Sequence, residues 1–469
     1  MSDLILVLGA RSRSGRAAVQ QLRAAHYYCR LLPEDVTAEV ILQQHARGVL
    51  LTGALPEREG YDAIFSLGIP VLALGSGAEA ALERYERAQE GGRRNEIALV
   101  HWLDCSLFEG VADGERNVCG ARAYDIPPNL RVAAYAEDIP VAFVDDARRL
   151  YVLLVRVERN DPDSAQLLLN FAQKVCGCTP WWTEDVFIDS AVEQIRAFAG
   201  SNSVVCAMSG GVDSTVAGLI ARRALGERAQ CVFVNTGLMR DGEAEATERF
   251  FRDELQFRFT EVDISSSLLY TLRGLETMDA KWQIASREIE MAIQRAAAGI
   301  TNVCAVVHGT DVSDVLDGGD LGAQREEGSL PVLEPLRELF KDEVRRVGEA
   351  LGLPQSVLDK QSFPTIGLAA RMSGEVTPAK LKILRAADSA FLEELRTSGQ
   401  KKRLSCAYAM LDTVGDKCSI VLRALQGQGA NAMAARLPSD LIERTVARIR
   451  SEIPQVRRVL YDFTPGSEG

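Results

Sequence analysis

At 469 residues the chain is long enough for about three domains at ~150 residues each, and its 47% hydrophobic and 25% charged content is ordinary for a soluble globular protein. A formal net charge of −12 argues against a general nucleic-acid binder, and no stretch reaches the ~18 apolar residues of a membrane span. Met1-Ser2-Asp3-Leu4 lacks a basic n-region, and ten scattered cysteines make no disulfide framework, so the expected setting is a reducing cytoplasm.

The first third alternates strand-like and helix-like segments. Residues 4–8 form a short apolar run of the kind buried in a parallel sheet. A helical stretch follows at 16–25, and further apolar runs fall at 48–52, 69–74, 141–144 and 150–155. Gly9 through Gly15 lacks GxGxxG spacing and reads as an ordinary strand-to-helix turn. A helix near 164–175 closes this region. Cys176-Gly177-Cys178 is too tight for a CxxC site and reads as packing. Residues 179–185 break the pattern and make a linker.

After the apolar run 203–208 comes Ser209-Gly210-Gly211-Val212-Asp213-Ser214. It reads as strand, glycine turn, then helix from about Thr215. Adjacent glycines let backbone N–H groups converge on a phosphate with no Cβ in the way. The helix start adds partial positive charge, and Ser209 and Ser214 add hydroxyls. Asp213 is a candidate Mg2+ carboxylate. No Gly-Lys-Ser/Thr follows, so this is not a Walker loop. Further strands at 231–234 and 303–307 argue a doubly wound sheet with its ligand at the C-terminal strand ends. Asn235-Thr236-Gly237 ends one strand where an adenosine would sit, and His308-Gly309-Thr310-Asp311 ends another. Asp314 and Asp317 share a helix face, to suit Mg2+ or a polar substrate, or simply as solvated carboxylates. Lys341 and Arg345 stand one turn apart, either to neutralise transferred phosphates or as an ion-pair face with Glu338. Beyond about Glu375 the chain reads as mostly helical, with a strand-like 458–463, making a small α+β domain.

The 209–214 loop looks like the pyrophosphate loop of N-type ATP pyrophosphatases, which cleave ATP between the α- and β-phosphates. From about Trp181 to Asp462 the chain resembles the ATP-pyrophosphatase and dimerisation domains of GMP synthetases. The matching words are 209–214, 231–240 with Glu243-Ala244-Glu245, Gly309-Thr310 with Asp314, 333–344, Phe363-Pro364 with Gly367-Leu368, 374–376, 421–424 and 458–462. The resemblance implies an α/β chain in three parts. Residues 1–180 correspond to a degenerate class I glutamine amidotransferase-like domain. Residues 181–375 correspond to an ATP pyrophosphatase domain of the adenine-nucleotide α-hydrolase type. Residues 376–469 correspond to a C-terminal dimerisation domain, and hence a homodimer. ATP and Mg2+ are the implied cofactors. By resemblance Ser209, Gly210, Gly211, Val212, Asp213, Ser214, Asn235, Gly309 and Lys341 bind ATP, with Asp213, Ser214 and Lys341 catalytic and Asp213 on Mg2+. Arg240, Lys281, Arg287, Asp314, Asp317 and Arg423 are the expected contacts to a purine-like substrate.

The resemblance also breaks. In the family's amidotransferase domain a cysteine nucleophile sits on a strand-to-helix elbow, activated by a histidine and a carboxylate. The elbow here is Leu72-Ala73-Leu74-Gly75-Ser76-Gly77, with Gly75 at the nucleophile position. The family's Phe-His-Pro-Glu corresponds to Val155-Arg156-Val157-Glu158, so Arg156 replaces the base and Glu158 alone remains. Ser76 is off by one residue. A histidine pair of the substrate loop corresponds to Gln324-Arg325, and the family's Asp-Asn to Asn235-Thr236. Its lysine-bearing Pro-Pro-Ala-Thr-Ile-Glu tail has no counterpart in residues 464–469.

Three readings follow. The first is a ligase that adenylates a carbonyl oxygen of a purine nucleotide or related heterocycle for amination by externally supplied ammonia, as a divergent paralogue in specialised metabolism. The second replaces ammonia with sulfur from a donor protein, with Cys206, Cys231 and Cys304 near the site, though buried strand cysteines are usually inert. The third is a non-catalytic nucleotide-binding partner of an amidotransferase or synthetase.

Overall fold

The computed structural model describes residues 3–56, 58–85, 94–121, 129–159, 161–317, 328–360, 365–414, 417–427 and 432–465. The chain divides into two compact units, Met1–Phe187 and Ile188–Gly469, the division falling inside the helix Glu184–Ala199.

The first unit is built on a nine-stranded mixed sheet. Cys29–Leu32, Ile5–Leu8, Gly48–Leu51, Val71–Leu74 and Leu150–Leu153 run parallel to one another in that spatial order. Ile139–Asp145, Arg131–Ala136, Arg94–Trp102 and Gly114–Ala121 continue it antiparallel. Ile5–Leu8, Gly48–Leu51 and Val71–Leu74 are buried along their whole length, which is why they read as unbroken apolar runs. Arg94–Trp102 leaves Ile97 and Leu99 exposed, and such half-solvated strands escaped the apolar-run criterion.

Residues 179–183 are not a free tether. The Trp181 and Trp182 amides both donate to the His26 carbonyl at 2.8 Å, and Trp182 stacks on Tyr28 with ring centroids 4.7 Å apart. Glu184 and Asp185, read as linker, instead open a sixteen-residue helix, where their charge suits the N-terminal dipole.

The second unit carries a five-stranded parallel sheet in the order Phe259–Asp263, Ala229–Asn235, Ser203–Ala207, Val303–Val307, Val332–Leu333. The chain starts in the middle, winds outward one way, then crosses to the other side. The crevice between the C-terminal ends of Ser203–Ala207 and Val303–Val307 is therefore a topological switch point, the place such sheets bind ligands. The helix Met278–Ala298 lays Ile289, Ile293 and Ala297 over Val205, Val232 and Val306.

The C-terminal segment departs from the mostly helical expectation. The long helix Pro378–Thr397 is present, buried through Leu381, Leu384, Ala387, Phe391 and Leu395 at helical spacing. It packs on a four-stranded sheet, however. The hairpin Cys406–Val414 and Lys417–Gln426 pairs antiparallel, and the other edge of Lys417–Gln426 carries both Met433–Ala434, antiparallel, and Val456–Asp462, parallel. Ala407, Ala409 and Leu411 alternate inward, as do Ile420, Leu422 and Ala424. That period-two signal is carried partly by alanine, which has little strand preference of its own. Leu238, Leu268 and Leu272 join the same apolar core, so the segment shares its interior with the loops and helices that follow the five-stranded parallel sheet's strands.

Candidate functional site

The 209–214 loop follows the central strand and opens the helix Val212–Leu225. Gly210 takes φ +88°, and a Cβ there would lie 2.8 Å from Thr247 Oγ1, so both conformation and space call for glycine. The two serine hydroxyls lock the loop from inside. Ser214 Oγ accepts from the Ser209 amide at 3.1 Å and donates to the Gly211 carbonyl at 3.2 Å. Thr215 Oγ1 donates to the same carbonyl at 2.7 Å. The amides of the helix's first turn have no intrahelical acceptor, and they form an anion cradle.

Two further loops close on this cradle. Gly309 packs so tightly that a Cβ would sit 2.5 Å from Ser214 N and 2.6 Å from Asp213 C. Gly348 brings the helix Lys341–Ala350 against Val216 of the loop's helix, at 3.1 Å from a would-be Cβ, and Lys341 begins that helix. Asp213 registers this convergence. Burial pushes its carboxyl up to about 6, Asp311 and then Asp314 add to the rise, and Lys341 and Arg345 oppose it. The structure thus gathers 209–214, Gly309, Asp314 and Lys341 at one crevice. Asp311 and Arg345, also singled out in the sequence, act on Asp213 there, and the structure adds Lys360, whose ammonium donates to the Gly210 carbonyl at 3.3 Å. Lys360 carries no signal at sequence level, because its relevance comes only from what lies opposite.

The donor set fits a Mg2+–nucleotide. Asp311 Oδ1 caps the next helix by accepting from the Ser313 and Asp314 amides, while its buried Oδ2 has no hydrogen-bond partner among the described residues. Asp213 and Asp311 would be the carboxylates on offer. No group of three metal-ligating side chains occurs among the described residues, so remaining ligands would come from phosphate oxygens and water.

Asn235 shapes its own turn, accepting from the Gly237 amide at 3.0 Å and donating to Glu261 at 2.9 Å. Among the described side chains, several of the expected substrate contacts are committed to partners elsewhere in the fold. Arg240 Nε donates to Asp388 at 2.6 Å, and Arg371 approaches the other oxygen of the same buried carboxylate at 3.5 Å. Arg423 pairs with Asp462 at 3.2 Å. Arg371, Arg240 and Arg423 all bear on Cys406, where they partly offset the rise that burial imposes on its thiol. Lys281 is buried, donating to the Met372 carbonyl at 2.8 Å, and burial pushes its ammonium down. Arg287, six residues on, is exposed on another face of that helix. Asp317 ends the helix Val312–Asp317, but its side chain, Gln324-Arg325 and Phe363-Pro364 lie outside the described residues. Cys206 is pushed up to about 12 by burial, and Cys231 higher still, so these thiols are inert packing.

In the first unit Gly75 forms a sharp elbow, with φ +55°, between Val71–Leu74 and the helix Ser76–Tyr85. A Cβ there would meet Arg156 Cγ at 3.6 Å and Cys119 Sγ at 3.9 Å. Arg156 Nε donates to Cys119 Sγ at 2.8 Å, yet burial still raises that thiol. Glu158 accepts from Asn117, and Ser76 Oγ donates to the Thr52 carbonyl at 3.1 Å. The elbow is present in backbone, with a guanidinium facing it.

Comparison with known proteins agrees with this geometry. Residues 186–384 match the family model described as NAD synthase, which defines an ATP-binding ligase of the pyrophosphate-loop class. The whole chain is similar to proteins named GMP synthase [glutamine-hydrolyzing]. It is 34% identical over 505 residues to that of Symbiobacterium thermophilum, covering 100% of this chain and 98% of the relative. It is 32% identical to that of Carboxydothermus hydrogenoformans, covering 99% and 98%, and 33% identical to that of Parafrankia sp., covering 100% and 96%. The chain belongs to the GMP synthase family.

Proposed function

We propose that this protein is an ATP-dependent ligase that adenylates a carbonyl oxygen of a purine nucleotide or related heterocycle and uses ammonia supplied from outside. The observation that carries the reading is the intact loop at the switch point of the second unit, in a chain whose first unit has an elbow with Gly75 and Arg156 in place of a nucleophile and base. The substrate oxygen attacks the α-phosphorus of ATP, the bond to the bridging oxygen breaks, and pyrophosphate leaves. Backbone amides of the 209–214 loop, with Lys341 and Arg345, stabilise the charge on the transferring and leaving phosphates. Bound Mg2+ would neutralise phosphate charge between Asp213 and Asp311. A nitrogen nucleophile then adds to the activated carbon and expels AMP. Gly75 has no side chain to attack glutamine, and the Arg156 guanidinium offers donors and no acceptor for a proton, so glutaminase activity is absent and the first unit serves as scaffold. The C-terminal domain, 376–469, pairs two copies.

The test is pyrophosphate release from ATP and Mg2+ with xanthosine monophosphate, guanosine monophosphate and related purines, each with ammonium, sulfide or glutamine. Release with ammonium and not glutamine is expected. No release with any combination would favour a non-catalytic binding role.

A further inference from the structure

The strand Val303–Val307 runs straight into His308, and the alternation that turns Val306 toward the helix Met278–Ala298 turns His308 the same way. There His308 Nε2 lies 3.3 Å from Glu290 Oε2, within ion-pair distance but without hydrogen-bond geometry between the two atoms, and the side chains are 3% and 1% exposed. The pair is braced. Gln294 Nε2 donates to Glu290 Oε1 at 2.8 Å, and Gln294 Oε1 accepts from the Leu330 amide at 2.9 Å. The His308 amide donates to Leu333 at 2.9 Å, inside the sheet.

Ile289 and Ile293 of this helix already bury apolar surface on the sheet. A further apolar pair would serve the core as well, because desolvating two ionisable groups offsets most of their attraction. What a paired Glu and His add over hydrocarbon is direction and a fixed separation. That separation matters one residue later. Gly309 is held where even a methyl group would reach within 2.5 Å of Ser214 N. Whatever sets His308 therefore sets the gap between the 308–311 loop and the first turn of the cradle helix.

We propose that Glu290 and His308 are a positioning pair that holds Gly309 against Asp213 and Ser214 and so sets the width of the ATP-phosphate cradle. The role rests on the ATP reading given above. Neither residue needs to touch the nucleotide.

The experiment is equilibrium binding of α,β-methylene-ATP with Mg2+, run well below the thermal midpoint of every variant. Glu290→Leu and His308→Gln should each weaken binding about tenfold, and the double variant no more than the worse single, because one geometric device is lost once. Glu290→Gln, which keeps the side chain's shape, its polar approach to His308 and the acceptor for Gln294, should stay within about threefold of wild type. Unchanged binding in the singles, additive losses in the double, or Glu290→Gln as weak as Glu290→Leu would overturn the proposal. So would lowered midpoints with intact binding, which would assign the pair to the fold alone. Wild-type protein that fails to bind the analogue overturns the ATP reading itself, a result distinct from all of these.

Discussion

Gly309→Ala tests the closure of the crevice most directly. Gly309 does not occupy the left-handed region, so alanine meets no backbone penalty there and the effect is purely steric. The new Cβ would lie 2.5 Å from Ser214 N, 2.6 Å from Asp213 C and 2.7 Å from Ser214 Cα, all backbone atoms, where ordinary contact begins at 3.4 Å. No rotamer change relieves that, so the two loops must part by about 0.9 Å, the difference between 3.4 and 2.5 Å. Overpacking of this kind costs about 1–3 kcal/mol in stability. A misplacement near 1 Å at a reacting centre costs on the order of 100-fold in rate. Urea unfolding and ATP-dependent pyrophosphate release, measured on the same preparation, should show a modest loss of stability with a far larger loss of turnover. Turnover within threefold of wild type, with the substitution confirmed, would refute the claim that this contact sets the site.

Asp213→Asn should abolish pyrophosphate release, by at least ~100-fold. The same change should alter the pH dependence of the ligand-free protein. The folded carboxyl titrates at about 6 against an ordinary 3.8, so Asp213 favours folding below about pH 4 and that contribution, at most roughly 3 kcal/mol, is lost as pH rises through 6. The difference in unfolding free energy between wild type and Asp213→Asn should follow this window, and a flat difference from pH 4 to 7 counts against it. Asp388→Ala would leave Arg240 and Arg371 without their shared carboxylate and remove the acceptor for the Ala409 amide at 2.8 Å, so chemical denaturation should show a loss of about 3–5 kcal/mol. Incubation with glutamine should yield no glutamate, by direct assay, in wild type and in Gly75→Cys alike, because the latter still faces Arg156 rather than a base.

Much of the fold is legible in the residues because its parallel strands are buried on both faces. Unbroken runs such as Val71–Leu74 and Val303–Val307 stand out at once. Antiparallel strands such as Arg94–Trp102 and the alanine-bearing strand Cys406–Val414 are quieter, since many of their side chains face water or carry little strand preference. The cradle is legible for a local reason. Its serines and glycines act on one another within six residues, as the Ser209–Ser214 bond shows. The substrate contacts were harder. Arg240 and Lys281 have the right chemistry for a ligand, yet the tertiary structure commits one to Asp388 and the other to the Met372 carbonyl. Those partners are 148 and 91 residues away in the chain, beyond any local pattern.

What the sequence by itself determined is therefore the glycine-serine loop 209–214 between strand and helix, and Gly75 and Arg156 at the elbow, both properties of residue type at a position. Only the tertiary structure decided that Lys360 and Glu290 belong around that loop, and what Asp311 and His308 meet there. Their roles come from distance and burial, which arise when remote segments pack.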